Sequence, residues 1–415
     1  MRRPRRCSAS CWSTIRCGST GPRKPELRGE ARRLILLGAI AALGSLAIQI
    51  IVPALPILSR GIGTPPTGGQ LVISVYLITL ALGQLVWAPV ADHHGRRPVL
   101  LGGLGLFLIG TLCCAVAGNL TAMLIGRAIQ AIGASSSLVT ARAMATDRAP
   151  AGHAAAPLAI LTSVTLISPA IAPVLGGALT GLAGWRALFW VLAGLTVIGM
   201  VLASRMLAET RAGDHAPLHP GRLAATYWQV LSHRGYLPLV LSNALISAGF
   251  YLFLAVSPFA LNAAGATPAL SGLFYSLVAC AIIAGTLTVP VVLRHRPTWL
   301  TPIGTTALAA GAAAVITVAL AGTNLLGLLA AMALIAFGSG LTGPALLAQA
   351  IERQRARASA ATSLFGTIQM GGAALISTAA VRFSPSADLD LALIGVLVGL
   401  ALVTRRLSGG APDPA

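Results

Sequence analysis

Apolar stretches of about 20 residues, following one another from residue 34 to residue 404, constrain this fold more than any other feature. About a dozen can be marked, near 34–58, 70–91, 98–117, 121–145, 155–180, 185–207, 236–261, 269–292, 300–320, 325–350, 358–381 and 388–404. Each is long enough for a helix to cross a bilayer. The runs are continuous rather than alternating, so spanning helices are expected and a barrel is not. The chain is 56% hydrophobic and 9% charged, against about 25% charged in an ordinary soluble domain. Its polar surface is too small to coat a soluble particle of 415 residues.

The formal net charge of +19 invites a nucleic-acid role, but the distribution of the charge excludes it. Ten of the basic residues lie among the first 33 positions, from Arg2 to Arg33. Most of the others fall in every second loop, as in Arg96–Arg97, Arg148, Arg294–Arg296, Arg353–Arg357 and Arg405–Arg406. Such alternation is the positive-inside pattern and predicts both termini in the cytoplasm. The six cysteines form no disulfide framework and no zinc spacing with partner histidines. Neither a metal nor a cofactor is expected. The first 33 residues contain no signal-peptide core. They read as a disordered basic extension or as a start placed upstream of the true one.

Two halves are expected. The longest polar interruption, 208–235, separates bundles at 34–207 and 236–404 and is expected to be a cytoplasmic linker; a short tail follows at 405–415. The halves echo each other. Gly83 to Pro89 precedes one charged turn, and Gly285 to Pro290 precedes another. Ala141-Arg142-Ala143 with Asp147-Arg148 is matched by Ala348-Gln349-Ala350 with Glu352-Arg353. Internal repeats of this kind are built around a site at the interface of the repeats.

Several motifs narrow the reading. Gly83-Gln84-Leu85-Val86-Trp87-Ala88-Pro89-Val90-Ala91-Asp92-His93-His94-Gly95-Arg96-Arg97-Pro98 is a charged turn between two apolar stretches. It resembles the loop signature between the second and third helices of the major facilitator superfamily. Arg127 to Ala134 resembles the fourth-helix signature of drug-efflux members, and Pro169 to Gly177 their fifth-helix antiporter signature. Pro53-Ala54-Leu55-Pro56, Gly184 to Phe189, Ser257-Pro258-Phe259 and Gln369-Met370 make the chain look like the bicyclomycin- and chloramphenicol-resistance branch. The resemblance implies an all-α membrane protein of 12 transmembrane helices in two pseudo-symmetric six-helix bundles. It implies proton-coupled efflux of small amphipathic molecules by alternating access.

It also implies residue roles. Asp92, Gly95, Arg96, Arg97, Arg142 and Asp147 would form a conformational latch at the cytoplasmic helix ends, the alternative being that they only set topology. Asp92 has the chemistry for a helix cap and an Arg partner. Arg127 lies within a span, where an unpaired Arg costs about 2.5–3.5 kcal/mol on insertion scales. It must therefore face a wet cavity or a partner, or snorkel to the outer interface; Gln130 shares its helix face. Pro169, Pro173, Gly176 and Gly177 break helix regularity and allow close packing, as a gate requires. Two positions depart from the family pattern, since Ala88 and Ala131 stand where glycine is usual.

A third departure bears on mechanism. Gln49 occupies the place at which the branch has an aspartate, the candidate proton carrier. All ten acids fall in tails, loops or helix ends, and every histidine in a cytoplasmic loop. Gln can hydrogen-bond a substrate but cannot carry a proton. Uncoupled diffusion, protonation at a rim group such as Asp92 or Asp147, and weak activity all remain open. Polar residues in otherwise apolar spans, Gln49, Tyr76, Gln84, Arg127, Gln130, Asn243, Tyr251 and Gln369, are the candidate lining of a substrate cavity. A cavity without an acid favours neutral or anionic substrates over cations.

The chain is thus read as a monomeric inner-membrane exporter, with lipid and a small amphipathic substrate as partners. A sugar or metabolite exporter is the alternative within transporters. An enzyme is not expected, because no catalytic dyad occurs within the spans. Reporter fusions after residues 94 and 354 should read cytoplasmic, and after 64 and 265 external. A reversal at any of the four would overturn this topology.

Overall fold

The computed structural model describes residues 24–148, 155–210, 220–233, 235–321, 324–354, 357–383 and 387–407, and their regular structure is entirely helical. Helix α1 (Lys24–Gln49) is followed by a 3-10 turn at Val52–Ala54 and by α2 (Leu55–Gly61). Pro53 causes the break, because it has no amide hydrogen to give the carbonyl of Gln49 four residues back. Then come α3 (Pro66–His94), α4 (Arg96–Val116), α5 (Leu120–Thr146), α6 (Ala155–Ala183) and α7 (Arg186–Met206). The linker region holds α8 (Pro220–Leu231). The second half comprises α9 (Leu237–Ala263), α10 (Pro268–His295), α11 (Leu300–Ala321), α12 (Leu325–Glu352), α13 (Ala358–Phe383) and α14 (Ala387–Leu407). By length and composition, the α1–α2 pair, α3 to α7 and α9 to α12 make 10 candidate membrane spans among the described residues. Helices α13 and α14, of 26 and 21 residues, bring the long helices to the twelve of the expected fold.

The packing repeats with a shift of six spans. In the first half α1 packs on α5, α6 and α7, α4 on α5 and α7, and α3 on α5. In the second, α9 packs on α12, α13 and α14, α11 on α12 and α14, and α10 on α12. Helix starts repeat as well. Asn119 Oδ1 accepts a hydrogen bond from the Ala122 amide at 2.9 Å, and Asn324 Oδ1 accepts one from Gly327 at 2.6 Å. These caps satisfy amides that a helix start otherwise leaves orphaned. Large side chains such as Leu182, Val116 and Leu320 point outward, 87%, 70% and 81% exposed. Hydrocarbon is the solvent that suits such a surface.

Two pairs of helices join the halves, α3 with α13 and α6 with α10. The second pair touches at its ends remote from the Arg-rich turns. A Cβ on Gly177 would collide with the Pro268 carbonyl, and one on Gly272 with the Pro173 carbonyl. Each glycine thus lets the other helix's backbone approach directly.

One boundary differs from expectation. The first helix begins at Lys24, so the basic segment up to residue 33 is not wholly a tail; residues 1–23 lie outside the described part. Arg33 is buried and donates to the Met144 carbonyl at the end of α5 and to Glu30. These partners let a cation sit inside the packed helix end.

Gly272→Leu should force α10 from α6 and cost about 1–3 kcal/mol as an overpacked contact. Thermal unfolding of the purified protein in detergent should show a lowered midpoint, and Gly272→Ala a smaller drop. An unchanged midpoint for the Leu variant would refute the close approach.

Candidate functional site

The deepest polar feature is a single guanidinium. Arg127 on α5 is fully buried. Its Nε donates to the Val72 carbonyl on α3 at 3.2 Å, and its Nη1 to the Ala47 carbonyl on α1 at 3.1 Å and to Gln130 Oε1 at 2.7 Å. The guanidinium lies over the Tyr76 ring, 4.1 Å from its centroid, a cation–π contact. Tyr76 donates its hydroxyl to the Gly44 carbonyl at 3.0 Å. Gln130 in turn donates to Thr111 Oγ1 on α4 at 2.8 Å. One cation therefore ties α1, α3, α4 and α5 together. Its Nη2 has no partner among the described residues.

Arg127, Gln130 and Tyr76 thus form a polar network in the first half's interior, where they were expected on a cavity wall. The reason is reach. A long side chain in an apolar span finds helix carbonyls nearer than water. Thr111 completes the network; nothing in the sequence distinguishes it from other span hydroxyls.

The other candidates spread along the interface of the halves. Gln84 on α3 is 4% exposed and places its Nε2 3.5 Å from Met370 Sδ on α13. Gln369 on α13 donates to Ser247 on α9 at 3.0 Å. Asn243, Ser247 and Tyr251 recur every four residues on α9 and share one face of it. Asn243 is buried, and its Nδ2 has no partner among the described residues. Gln49 ends α1, buried beside the break at Pro53.

The charged turn forms a compact ion cluster within the first half. Arg96 Nη1 lies 2.7 Å from Asp92 Oδ1, and Arg96 Nε lies 3.4 Å from Asp147 Oδ2. Gly95, at φ 94°, turns the chain from α3 into α4, a conformation that favours glycine. Glu209, just beyond α7, caps the new helix; its Oε1 accepts from the Arg96 amide and its Oε2 from the Arg97 amide, both at 3.0 Å. Arg97 donates to the Ser204 carbonyl at 2.7 Å, and Thr210 to Asp147 at 2.6 Å. Glu209, Ser204 and Thr210 went unrecognised in the sequence. An acid immediately after the sixth span was the one available signal.

Arg142 does not join this cluster. Although expected to pair there, its side chain has no hydrogen bond or ion pair with the described residues; Arg96 serves both nearby carboxylates. Its side chain is exposed to a cavity of about 510 Å³ at the Arg-rich end of the bundle. Both halves line this cavity, with Gln84, Asp92 and Arg142 on one side, Thr362 and Ser363 of α13 on the other, and Thr226 and Tyr227 of α8 at the edge. Burial pushes the Tyr227 phenol above its ordinary value, so it remains a neutral donor. Of the eight candidate lining residues, Gln84 alone borders this cavity.

The gate residues bring three elements together. Gly176 meets the Ile50 carbonyl at the α1 break, and Gly177 meets Pro268. Pro173 receives Gly272, and Pro169 lies one turn before Pro173 in α6. Asp390 is an acid at a helix end, as expected, but a buried one. It lies in the first turn of α14 but is only 7% exposed, and it does not border the cavity.

Arg127→Lys should not rebuild the network, because a point charge cannot serve two carbonyls and an amide in one plane. A loss of about 1–3 kcal/mol is expected from the polar groups left unpaired. Thermal unfolding in detergent measures it; wild-type stability would show that the guanidinium geometry is immaterial.

Comparison with known proteins agrees with this architecture. A profile of the Major Facilitator Superfamily matches residues 37–377. The chain is 27% identical over 400 residues to multidrug resistance protein D of Escherichia coli (strain K12), covering 89% of this chain and 93% of that one. It is 31% identical over 323 residues to a chloramphenicol resistance protein of Pseudomonas aeruginosa, covering 74% of each. An MFS-type transporter of Bacillus subtilis (strain 168) is 29% identical over 258 residues, 64% of its own length. A crystal structure of a peptide transporter in complex with sulfate superposes with a TM-score of 0.74 at 15% identity, over 91% of this chain and 93% of that one. That last likeness concerns the fold alone. A family match across most of the chain, on twelve long helices packed as a repeat, makes this protein a multi-pass membrane transporter belonging to the Major Facilitator Superfamily.

Proposed function

We propose that the chain is a multidrug exporter of the bacterial inner membrane, carrying small amphipathic molecules out of the cytoplasm by alternating access as a monomer with both termini inside. The observation that carries this reading is the placement of cavity and contact. The cavity between the halves lies at the Arg-rich end, while α6 and α10 meet backbone to backbone at the other. A rocking of one half against the other exchanges the two ends. The relatives named for multidrug and chloramphenicol resistance support the substrate class. A volume of about 510 Å³ suits a drug-sized ligand.

In this reading the charged cluster acts as a latch. Asp92, Arg96 and Asp147 hold the ends of α3, α4 and α5 as one unit at the cavity rim, and Glu209 ties α7 to it. Coupling to protons is weak, because an amide at Gln49 stands where a titratable group is needed. Any residual coupling falls to Asp92 or Asp147.

Chloramphenicol flux in proteoliposomes, with and without an imposed pH gradient, tests both statements. Flux that changes little with the gradient is expected, and Gln49→Asp should make it gradient-dependent, since a carboxylate in a partly apolar site titrates nearer neutrality. Strong proton-driven export by the unmodified chain would refute Gln49 as the lost coupling site. Absence of flux for chloramphenicol and for a panel of neutral drugs would refute the exporter. Asp92→Asn should reduce flux at equal protein in the membrane; unchanged flux would reduce the cluster to a marker of topology.

A further inference from the structure

We infer that Arg142 anchors an anion-binding subsite in the cavity, and that the molecules carried include amphipathic acids, with a carboxylate or sulfonate on an apolar body. The inference rests on the exporter reading and names the charge class of its substrates. Four observations converge. Arg142 lines the cavity, yet its guanidinium has no hydrogen bond or ion pair with the described residues. The two carboxylates on the same wall, Asp92 and Asp147, are already held by Arg96. They face that guanidinium, and neither pairs with Arg142. Tyr227 and Ser363 also line the cavity, with hydroxyl groups that can donate to the anion's remaining lone pairs, while Val139 and Leu158 supply apolar wall.

The repeat makes the charge deliberate in one respect. The second half carries neutral Gln349 at the place that Arg142 holds in the first, so the cation belongs to one wall only. An acid entering from the Arg-rich end meets the Arg142 guanidinium, while Asp92 and Asp147 on the same wall are turned to Arg96. A guanidinium is well suited to this because it binds a carboxylate through two parallel N–H donors.

Equilibrium binding tests this apart from transport. The full chain in phosphatidylcholine nanodiscs is titrated with 7-methoxycoumarin-3-carboxylic acid and with its neutral methyl ester. The acid is expected to bind at least about fivefold more tightly than the ester. Arg142→Gln should bring that ratio towards one, and Arg142→Lys should keep part of it. A residue that merely shapes the cavity would change both affinities together and leave the ratio intact. Such a result, or an acid that binds no better than its ester, overturns the inference. Adding phosphatidylglycerol to the discs separates a soluble acid from a lipid headgroup. An unchanged ratio supports the soluble acid; a ratio that collapses in the unmodified protein assigns Arg142 to lipid and overturns it. Chloramphenicol flux, run beside these titrations, shows separately whether the exporter reading holds.

Discussion

A charged group in hydrocarbon must find its partners inside the protein, and the way Arg127 does so organises the first half. Its donors reach two helix carbonyls, one amide and the face of one ring. No carboxylate takes part among these contacts. The cation is held by dipoles and a quadrupole instead, which keeps the centre of the bundle positively biased. Because the partners sit on α1, α3 and α5, and Gln130 extends the network to α4, the relative rotation of four helices is tied to one side chain. Apolar contacts between helices in lipid have no water to exclude, so polar contacts and close packing carry a larger share of such specification.

The same economy appears at the two ends of the molecule. Near the Arg-rich turns, polar groups are crowded and matched, with Arg96 between two aspartates and Glu209 on a helix start. At the opposite end there are few charges, and the halves meet through glycine and proline backbone. A contact made of backbone van der Waals packing is lost or remade as a unit, because packed surfaces deform little before they separate. The cavity between the halves borders the ion cluster, whose contacts lie within the first half. The two ends of the bundle are thus built from different kinds of contact, and Arg142 borders the cavity at the more polar one.

What the sequence determined by itself was considerable. Span number, the division into halves and family membership followed from long apolar runs, from the polar stretch at 208–235 and from the motif around Asp92. Length and hydropathy are properties of the chain alone, and the bilayer thickness translates them into helices with little freedom. The need for Arg127 to have partners was also legible, since burial of an unpaired charge is too costly to persist. Tertiary structure decided the rest. It chose helix carbonyls and Tyr76 for Arg127, gave Asp147 to Arg96 rather than to Arg142, recruited Glu209 from beyond the sixth span, and set Gly272 against Pro173. It also carried α1 back to Lys24, because Arg33 finds its acceptor on α5, more than 100 positions away in the chain. The physical reason is common to all of these. Helices that are apolar all round carry little record of which face turns inward, so rotation and partner choice are settled only when the spans pack.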